Sequence, residues 1–176
     1  MAQSAFRYEL EADNLSALVS ALERMGEKKF TRAAHWALGK AGDRGYTASK
    51  RSIAKELGLK QAVVAADMRK KMPARFEFVV DAQGARLPLR YYHPRQTKKG
   101  VTARIYGRRI LHPHAFIIRR YDNNVYRRLT RSRFPIKKLT GPAIPIEMVR
   151  EHSVEAFRDA LCKVFPAELE RLVARG

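Results

Sequence analysis

Lysine and arginine side chains, which bind phosphate and carboxylate groups, are concentrated between residues 86 and 138 of this chain. That segment contains sixteen of them and a single acid, Asp122, and so supplies +15 of the formal net charge of +19. Like charges at this density repel one another, so a folded protein keeps them where a polyanion or an acidic partner offsets the repulsion. The segment therefore predicts a basic binding surface. Its candidate residues are Arg95, Lys98, Lys99, Arg108, Arg109, Arg119, Arg120, Arg127, Arg128, Arg131 and Arg133.

Four of the five tyrosines interleaved with these cations have two interpretations: Tyr91, Tyr92, Tyr121 and Tyr126. In one interpretation they stack on the bases of a nucleic acid while the cations contact its phosphates, as in proteins that bind single strands. In the other, the tyrosines pack the inner face of a sheet, and the arginines are solvated or paired with acidic subunits. We favour the core for the tyrosines, and a polyanion or an acidic protein as the partner of the charge.

Residues that could hold a metal or catalyse a reaction are few. His112 and His114 flank a proline, which favours a loop rather than a helical pair of ligands, and no nearby Cys, Asp or Glu completes a shell. Asp81 and Glu77 could serve a nuclease, but two-metal catalysis needs several carboxylates beside the phosphate, and the basic segment offers only Asp122. We expect no catalytic residue, no metal and no cofactor, and a protein that is not an enzyme.

The elements before the basic segment are predicted to be helical. Asp13 or Asn14 can cap a first helix that ends before Gly26. The spacing of apolar and small residues predicts a second helix over Thr31–Leu57 and a short basic helix over Lys60–Lys71. Three glycines weaken the second helix and allow either a close helix–helix approach or a kink: Gly39, Gly42 and Gly45.

The period changes from Phe76 onward, where alternating apolar residues favour strands. Two strand-like runs, Leu87–Tyr92 and Val101–Tyr106, are joined by a polar and basic connection, 93–100, that we expect to be mobile. A further strand is predicted at Arg109–Leu111. Of the candidate cations, Arg109 lies on these strands, and Arg95, Lys98 and Lys99 lie on the connection.

The last third of the chain is predicted to contain a ribbon, then an irregular segment, then helices. Arg119–Arg128 is nearly symmetric about an Asp-Asn-Asn turn, which predicts a two-stranded ribbon with arginine pairs on both strands. Prolines make Phe134–Ile146 extended and irregular. An amphipathic helix follows, Pro166 opens a separate short helix, and Cys162 is predicted to be buried within the apolar pattern.

These elements predict an α+β fold in one domain of 176 residues. A small, mostly antiparallel sheet of about 76–129 is packed by helices from both ends of the chain. The domain divides into a helical part (1–72), a basic β region (73–140) and a second helical part (141–176). No apolar run is long enough to span a membrane, and neither a signal peptide nor a disulfide framework is evident. We therefore expect synthesis in a reducing cytoplasm.

The order of these features resembles the minor tail protein Z family of long-tailed bacteriophages. The similarity runs from about Phe30 to Val164. It includes an Ala-rich helix and a basic helix, followed by the segments GRRILHPHAFI (107–117), NNVYRRL (123–129), FPIKKLTGPAIPIEMV (134–149) and HSVEAF (152–157). The signals most typical of the family are the small-residue-then-AFI segment and the FPIxxLxGPAIP segment.

This resemblance implies a structural protein of the virion, made in the cytoplasm of the bacterial host. Such proteins act in tail completion at the tail or the head–tail neck, commonly as rings. The implied partners are further copies of the chain, tail tube, tail terminator or connector proteins, and double-stranded DNA in the lumen. A nucleic-acid-binding module without a virion role is the alternative, and a metal-dependent nuclease is a third class to be tested.

Overall fold

The computed structural model describes residues 2–7, residue 23 and residues 26–175. It has the predicted α+β fold, with antiparallel sheets between helices that come from both halves of the chain. The helix predicted to be capped by Asp13 or Asn14 lies outside the described residues. None of the described helices is both long and apolar enough to cross a membrane.

The long helix α1, Glu27–Leu57, begins four residues before the predicted start. It ends at Gly58, whose left-handed backbone lets its N–H reach the carbonyl oxygens of Ala54 and Lys55. Helix α1 packs against the C-terminal helix α4, Glu151–Val173, over most of its length. The structure shows the close helix–helix approach, one of the two interpretations, at Gly45, which lies against the ring of Phe157 on α4. Gly42 lies against the ring of Phe78, which precedes the first sheet.

Helix α4 continues through Pro166. The prediction of a separate helix starting at that proline is wrong, because Phe157 and Leu161 before it and Leu169 after it are all buried. Packing on both sides of Pro166 holds the two halves of one helix in place, although proline removes a backbone hydrogen bond. Cys162 is exposed, so its predicted burial is also wrong; it follows Leu161 by one residue and so points about 100° away around the helix.

The first sheet is formed by strands far apart in the sequence. Strand β3, Val79–Gly84, pairs on one side with β1, Ala2–Arg7, and on the other with β2, Met68–Lys71, both antiparallel. Helix α2, Gln61–Asp67, leads directly into β2. The predicted helix over 60–71 is therefore wrong in its last four residues, and the prediction that 1–72 is entirely helical is wrong as well. Phe76 has a φ of 66° and precedes the sheet instead of belonging to it.

The basic segment forms two further three-stranded antiparallel sheets, so the predicted β region is divided rather than continuous. The first of these contains β4 (Arg95–Thr97), β5 (Gly100–Ile105) and β6 (Arg108–Pro113), in that order. The second contains β7 (Ala115–Ile118), β8 (Asn124–Arg128) and β9 (Ile136–Lys138). The short helix α3, Ile144–Met148, begins within Phe134–Ile146, the segment that was predicted to be irregular. Helix α4 follows it.

Three local predictions in the basic segment need correction. Leu89–Tyr92 is a short 3-10 helix and not a strand, with Leu89 and Tyr92 fully buried. The connection 93–100, which we expected to be mobile, contains β4, which pairs with β5. In the predicted ribbon, Arg119–Tyr121 forms a 3-10 turn, so only its second arginine pair lies on a strand.

Candidate polyanion-binding surface

All eleven candidate cations are exposed, and they lie on or beside the two sheets of the basic segment. The acid of that segment, Asp122, is already used: its Oδ2 accepts a hydrogen bond from Nη1 of Arg90 at 3.0 Å. None of the eleven forms an ion pair with an acid among the residues that the structure describes. Their charge is therefore not neutralised by the described part of the chain.

One face of the β4-β5-β6 sheet collects three arginines. In the strand register Arg104 lies opposite Arg109, and Arg95 lies opposite Thr102, two residues before Arg104. Opposed residues point to the same side of a sheet and side chains alternate along a strand. Arg95, Arg104 and Arg109 therefore share one face, and all three are exposed. We call this set the arginine face.

The opposite side of the same sheet belongs to the core. Val101, Ala103 and Ile105 alternate with the exposed positions of β5 and are buried. Burial of these three side chains fixes which way β5 faces, and so directs Arg104 toward solvent. Arg104 was missing from the predicted set. The alternation of small or apolar residues with Thr102 and Arg104 was the signal that could have identified it.

The arginine face concentrates like charge at an energetic cost. Two cations directly opposite each other on neighbouring strands destabilise a sheet, and Arg104 and Arg109 are such a pair. Arg127 and Lys137 form a second pair across β8 and β9. An anion bound between the members of a pair removes this repulsion, so the arrangement favours a ligand with closely spaced negative charges.

The structure separates other candidate residues that are adjacent in sequence. Arg108 projects from the face opposite to Arg109, and Arg127 from the face opposite to Arg128, because neighbouring residues of a strand alternate. Burial of His112, and to a smaller extent the charge of the nearby Arg127, lower the pKa of the imidazole. The candidate cations therefore do not form one continuous patch.

A glutamine side chain connects the two basic sheets. Oε1 of Gln96 accepts a hydrogen bond from the backbone N–H of Ile117 at 3.1 Å, and its Nε2 donates to the carbonyl oxygen of Ala115 at 3.4 Å. These bonds satisfy the edge of β7 much as a neighbouring strand would. Gln96 therefore holds β4, and with it Arg95, against β7.

A buried carboxylate anchors the turn between β5 and β6. The hydroxyl of Tyr106 donates a hydrogen bond of 2.6 Å to Oε1 of Glu147 on α3, and Nε of Arg150 lies 3.4 Å from the same oxygen. Burial and the hydrogen bond to Glu147 together raise the pKa of Tyr106 to about 12. The turn that joins the strands of Arg104 and Arg109 is thus attached to the helical layer.

The tyrosines divide between the two interpretations. Tyr92 is fully buried and its hydroxyl donates to the carbonyl oxygen of Pro142 at 3.1 Å, which confirms the core interpretation for this residue. Tyr91 is half-buried and packs against the core, with the guanidinium of Arg90 over its ring. Tyr121 is 53% exposed, so the core interpretation is wrong for it.

The residues considered for metal binding do not form a ligand cluster. Among the residues described, no three or more His, Cys, Asp or Glu side chains are placed to hold a metal ion. Asp81 instead lies 3.8 Å from Nζ of Lys71. His112 is half-buried and lies near the cation Arg127. The positive charge of Arg127 disfavours a metal cation at this imidazole.

Comparison of the chain with protein-family models, with curated proteins and with solved structures returned no significant match. The resemblance to minor tail protein Z therefore stays a hypothesis that rests on the order of the sequence features. On the two basic sheets themselves, cations far outnumber acids.

Proposed function

We propose that this chain is a non-catalytic structural protein of a bacteriophage tail, of the minor tail protein Z type, that acts in tail completion or assembly. It assembles into a homo-oligomeric ring at the tail or the head–tail neck. Its basic sheets face double-stranded DNA in the lumen or acidic surfaces of tail tube, tail terminator or connector proteins. The observation that carries the proposal is the arginine face, in which three guanidinium groups share one exposed surface with no acidic partner among the described residues.

Rigid support is the physical argument for a binding role of these cations. Charges on a disordered tail would also attract polyanions, but Arg95, Arg104 and Arg109 lie on paired strands. The core side of β5 and the Glu147–Tyr106 hydrogen bond hold those strands in place. A fixed set of cations suits a partner with regularly spaced charge, and a ring would sum their potentials around its channel.

A nucleic-acid-binding module without a virion role is the second candidate. It is favoured by the exposed Tyr121, since a protein that contacts only acidic subunits or duplex phosphates has no need of exposed aromatic rings beside its cations. The two candidates differ in self-association, because only the first requires a ring.

Removing the arginine face tests the binding part of the proposal. We expect Arg95→Gln/Arg104→Gln/Arg109→Gln to weaken binding of a 20-base-pair duplex. The slope of log affinity against log salt should fall by up to about 2.7, since each phosphate contact contributes roughly 0.9. Fluorescence anisotropy at several salt concentrations measures both quantities.

The matched control removes the same charge from the helical layer. Lys28→Gln/Arg51→Gln/Lys55→Gln changes three exposed cations of α1 and lowers the net charge equally. Its salt slope should stay close to that of the unchanged protein. Equal losses in both triple variants would mean that total charge, and not the arginine face, determines the affinity.

The assembly part is tested by sedimentation velocity of the protein alone and mixed with tail tube and connector subunits. We expect a discrete oligomer or a stable complex with one of these subunits. A monomer in every mixture contradicts the proposed ring, whereas salt-sensitive nucleic-acid binding by that monomer would support the second candidate.

A further inference from the structure

The outer face of the β7-β8-β9 sheet carries aromatic rings instead of polar side chains. In the strand register Phe116 of β7 lies opposite Tyr126 of β8, which in turn lies opposite Lys138 of β9. These three side chains therefore form one row across the sheet. They project away from the core, because Ala115 and Val125, their neighbours along the strands, are buried on the other side.

Two further side chains extend this row into a cluster. The ring of Tyr121 meets that of Tyr126 edge to face, with centroids 6.1 Å apart, and the guanidinium of Arg128 lies 5.6 Å from the centroid of Phe116. Neither Phe116 nor Tyr126 is packed into the hydrophobic core of the described residues. We call Phe116, Tyr121, Tyr126, Arg128 and Lys138 the aromatic face.

The charge beside these rings is positive. Arg128 and Lys138 lie on the face itself, and Arg119 and Arg120 belong to the same 3-10 turn as Tyr121. The neighbouring acid, Asp122, is occupied by Arg90. Phe116 and Tyr126 are half-buried, and Tyr121 is 53% exposed. Aromatic rings at the surface among unneutralised cations combine the two groups that bind an unpaired nucleotide: a surface for the base and a charge for the phosphate.

We propose that the aromatic face binds single-stranded nucleic acid. Bases stack on Tyr126 and Phe116, with Tyr121 at the edge, while Arg128 and Lys138 contact the phosphates. A duplex does not use the rings in this way, because its bases are stacked on one another and their flat surfaces are inaccessible. The proposal concerns a different sheet from the arginine face, so either can fail without the other.

The test uses a fluorescent 12-nucleotide oligothymidine, a 20-base-pair duplex, and the full chain at low salt. We expect Tyr126→Leu and Phe116→Leu each to weaken binding of the single strand about tenfold, as loss of one stacked base does. Both should leave the affinity for the duplex within twofold. Tyr126→Phe, which keeps the ring, should retain single-strand affinity, and thermal unfolding verifies that each variant is folded.

Three outcomes would overturn the proposal. The first is no binding of the single strand by the unchanged protein at low salt. The second is a lower single-strand affinity of Arg128→Gln/Lys138→Gln with an unchanged affinity of Tyr126→Leu and Phe116→Leu, which would mean that charge alone binds the strand. The third is equally effective competition by a poly-glutamate peptide of the same charge, which identifies the face as a surface for acidic proteins.

Discussion

Gly42→Ala is expected to lower the free energy of unfolding by about 1–3 kcal/mol, the usual effect of overpacking a core. A methyl group at this position would overlap the ring of Phe78, which is buried beside the ring of Phe157 on α4. In an unconstrained helix the same substitution stabilises by roughly 1 kcal/mol, since alanine is the better helix former. A lower free energy of unfolding would therefore show that α1 approaches Phe78 closely, and a higher one would not. Urea unfolding followed by circular dichroism measures it.

Gly39→Ala, one turn earlier on α1, is the matched control. A Cβ atom there lies 3.3 Å from Sδ of Met72, a flexible side chain that can move aside. We expect this variant to be neutral or more stable by up to about 1 kcal/mol. If Gly42→Ala were stabilised to the same degree, α1 would not approach Phe78 as closely as described. Adding Phe78→Leu to Gly42→Ala should partly restore the stability, because the added substitution removes the ring that the methyl group overlaps.

Glu147→Ala is the second substitution with a large expected effect, a loss of about 1.5–3 kcal/mol, typical of a hydrogen bond to a charged group. The side chain of Glu147 is only 1% exposed. Its removal leaves the hydroxyl of Tyr106 and the guanidinium of Arg150 without their acceptor. Because Tyr106 forms the turn between β5 and β6, the β6 strand should also lose order. Chemical unfolding measures the stability, and amide exchange of residues 104–109 measures the local effect.

Glu147→Gln keeps the hydrogen-bond acceptor and removes the charge. If the hydrogen bond from Tyr106 dominates, Glu147→Gln should lower the free energy of unfolding by less than half as much as Glu147→Ala does. Equal losses in the two variants would assign the effect to attraction of Arg150 instead. Unchanged stability and unchanged exchange in both variants would contradict the anchoring of the β5–β6 turn by α3.

Helix boundaries show how far local pattern extends. The prediction of a helix ending at Leu57 is confirmed, because Gly58 stops the helix by its own backbone preference. The helix predicted over 60–71 ends at Asp67, since Met68–Lys71 pairs with β3 and these long-range hydrogen bonds override helix propensity. Pro166 failed as a boundary for a similar reason: contacts with α1 outweigh its local effect.

The candidate site was only partly predictable. That the cations from Arg95 to Arg133 are exposed was expected from their charge, and all eleven are. Which of them share a face depends on the register between strands, and no residue count along the chain supplies it. The sequence placed Arg108 with Arg109 and left Arg104 out, whereas the pairing of β5 with β6 joins Arg104 to Arg109. That Phe116 and Tyr126 share a face depends in the same way on the register between β7 and β8, which pairs residues ten apart in the sequence.

The sequence by itself determined the charge imbalance of the segment 86–138, the α+β class and the C-terminal end of the long helix. Each of these depends on composition or on neighbours within a few residues. Only the tertiary structure decided that the strands form three sheets, that one carries an arginine face, and that another carries aromatic rings on its outer face. The reason is that strand register and burial arise from contacts between distant residues, which a periodic pattern constrains but does not specify.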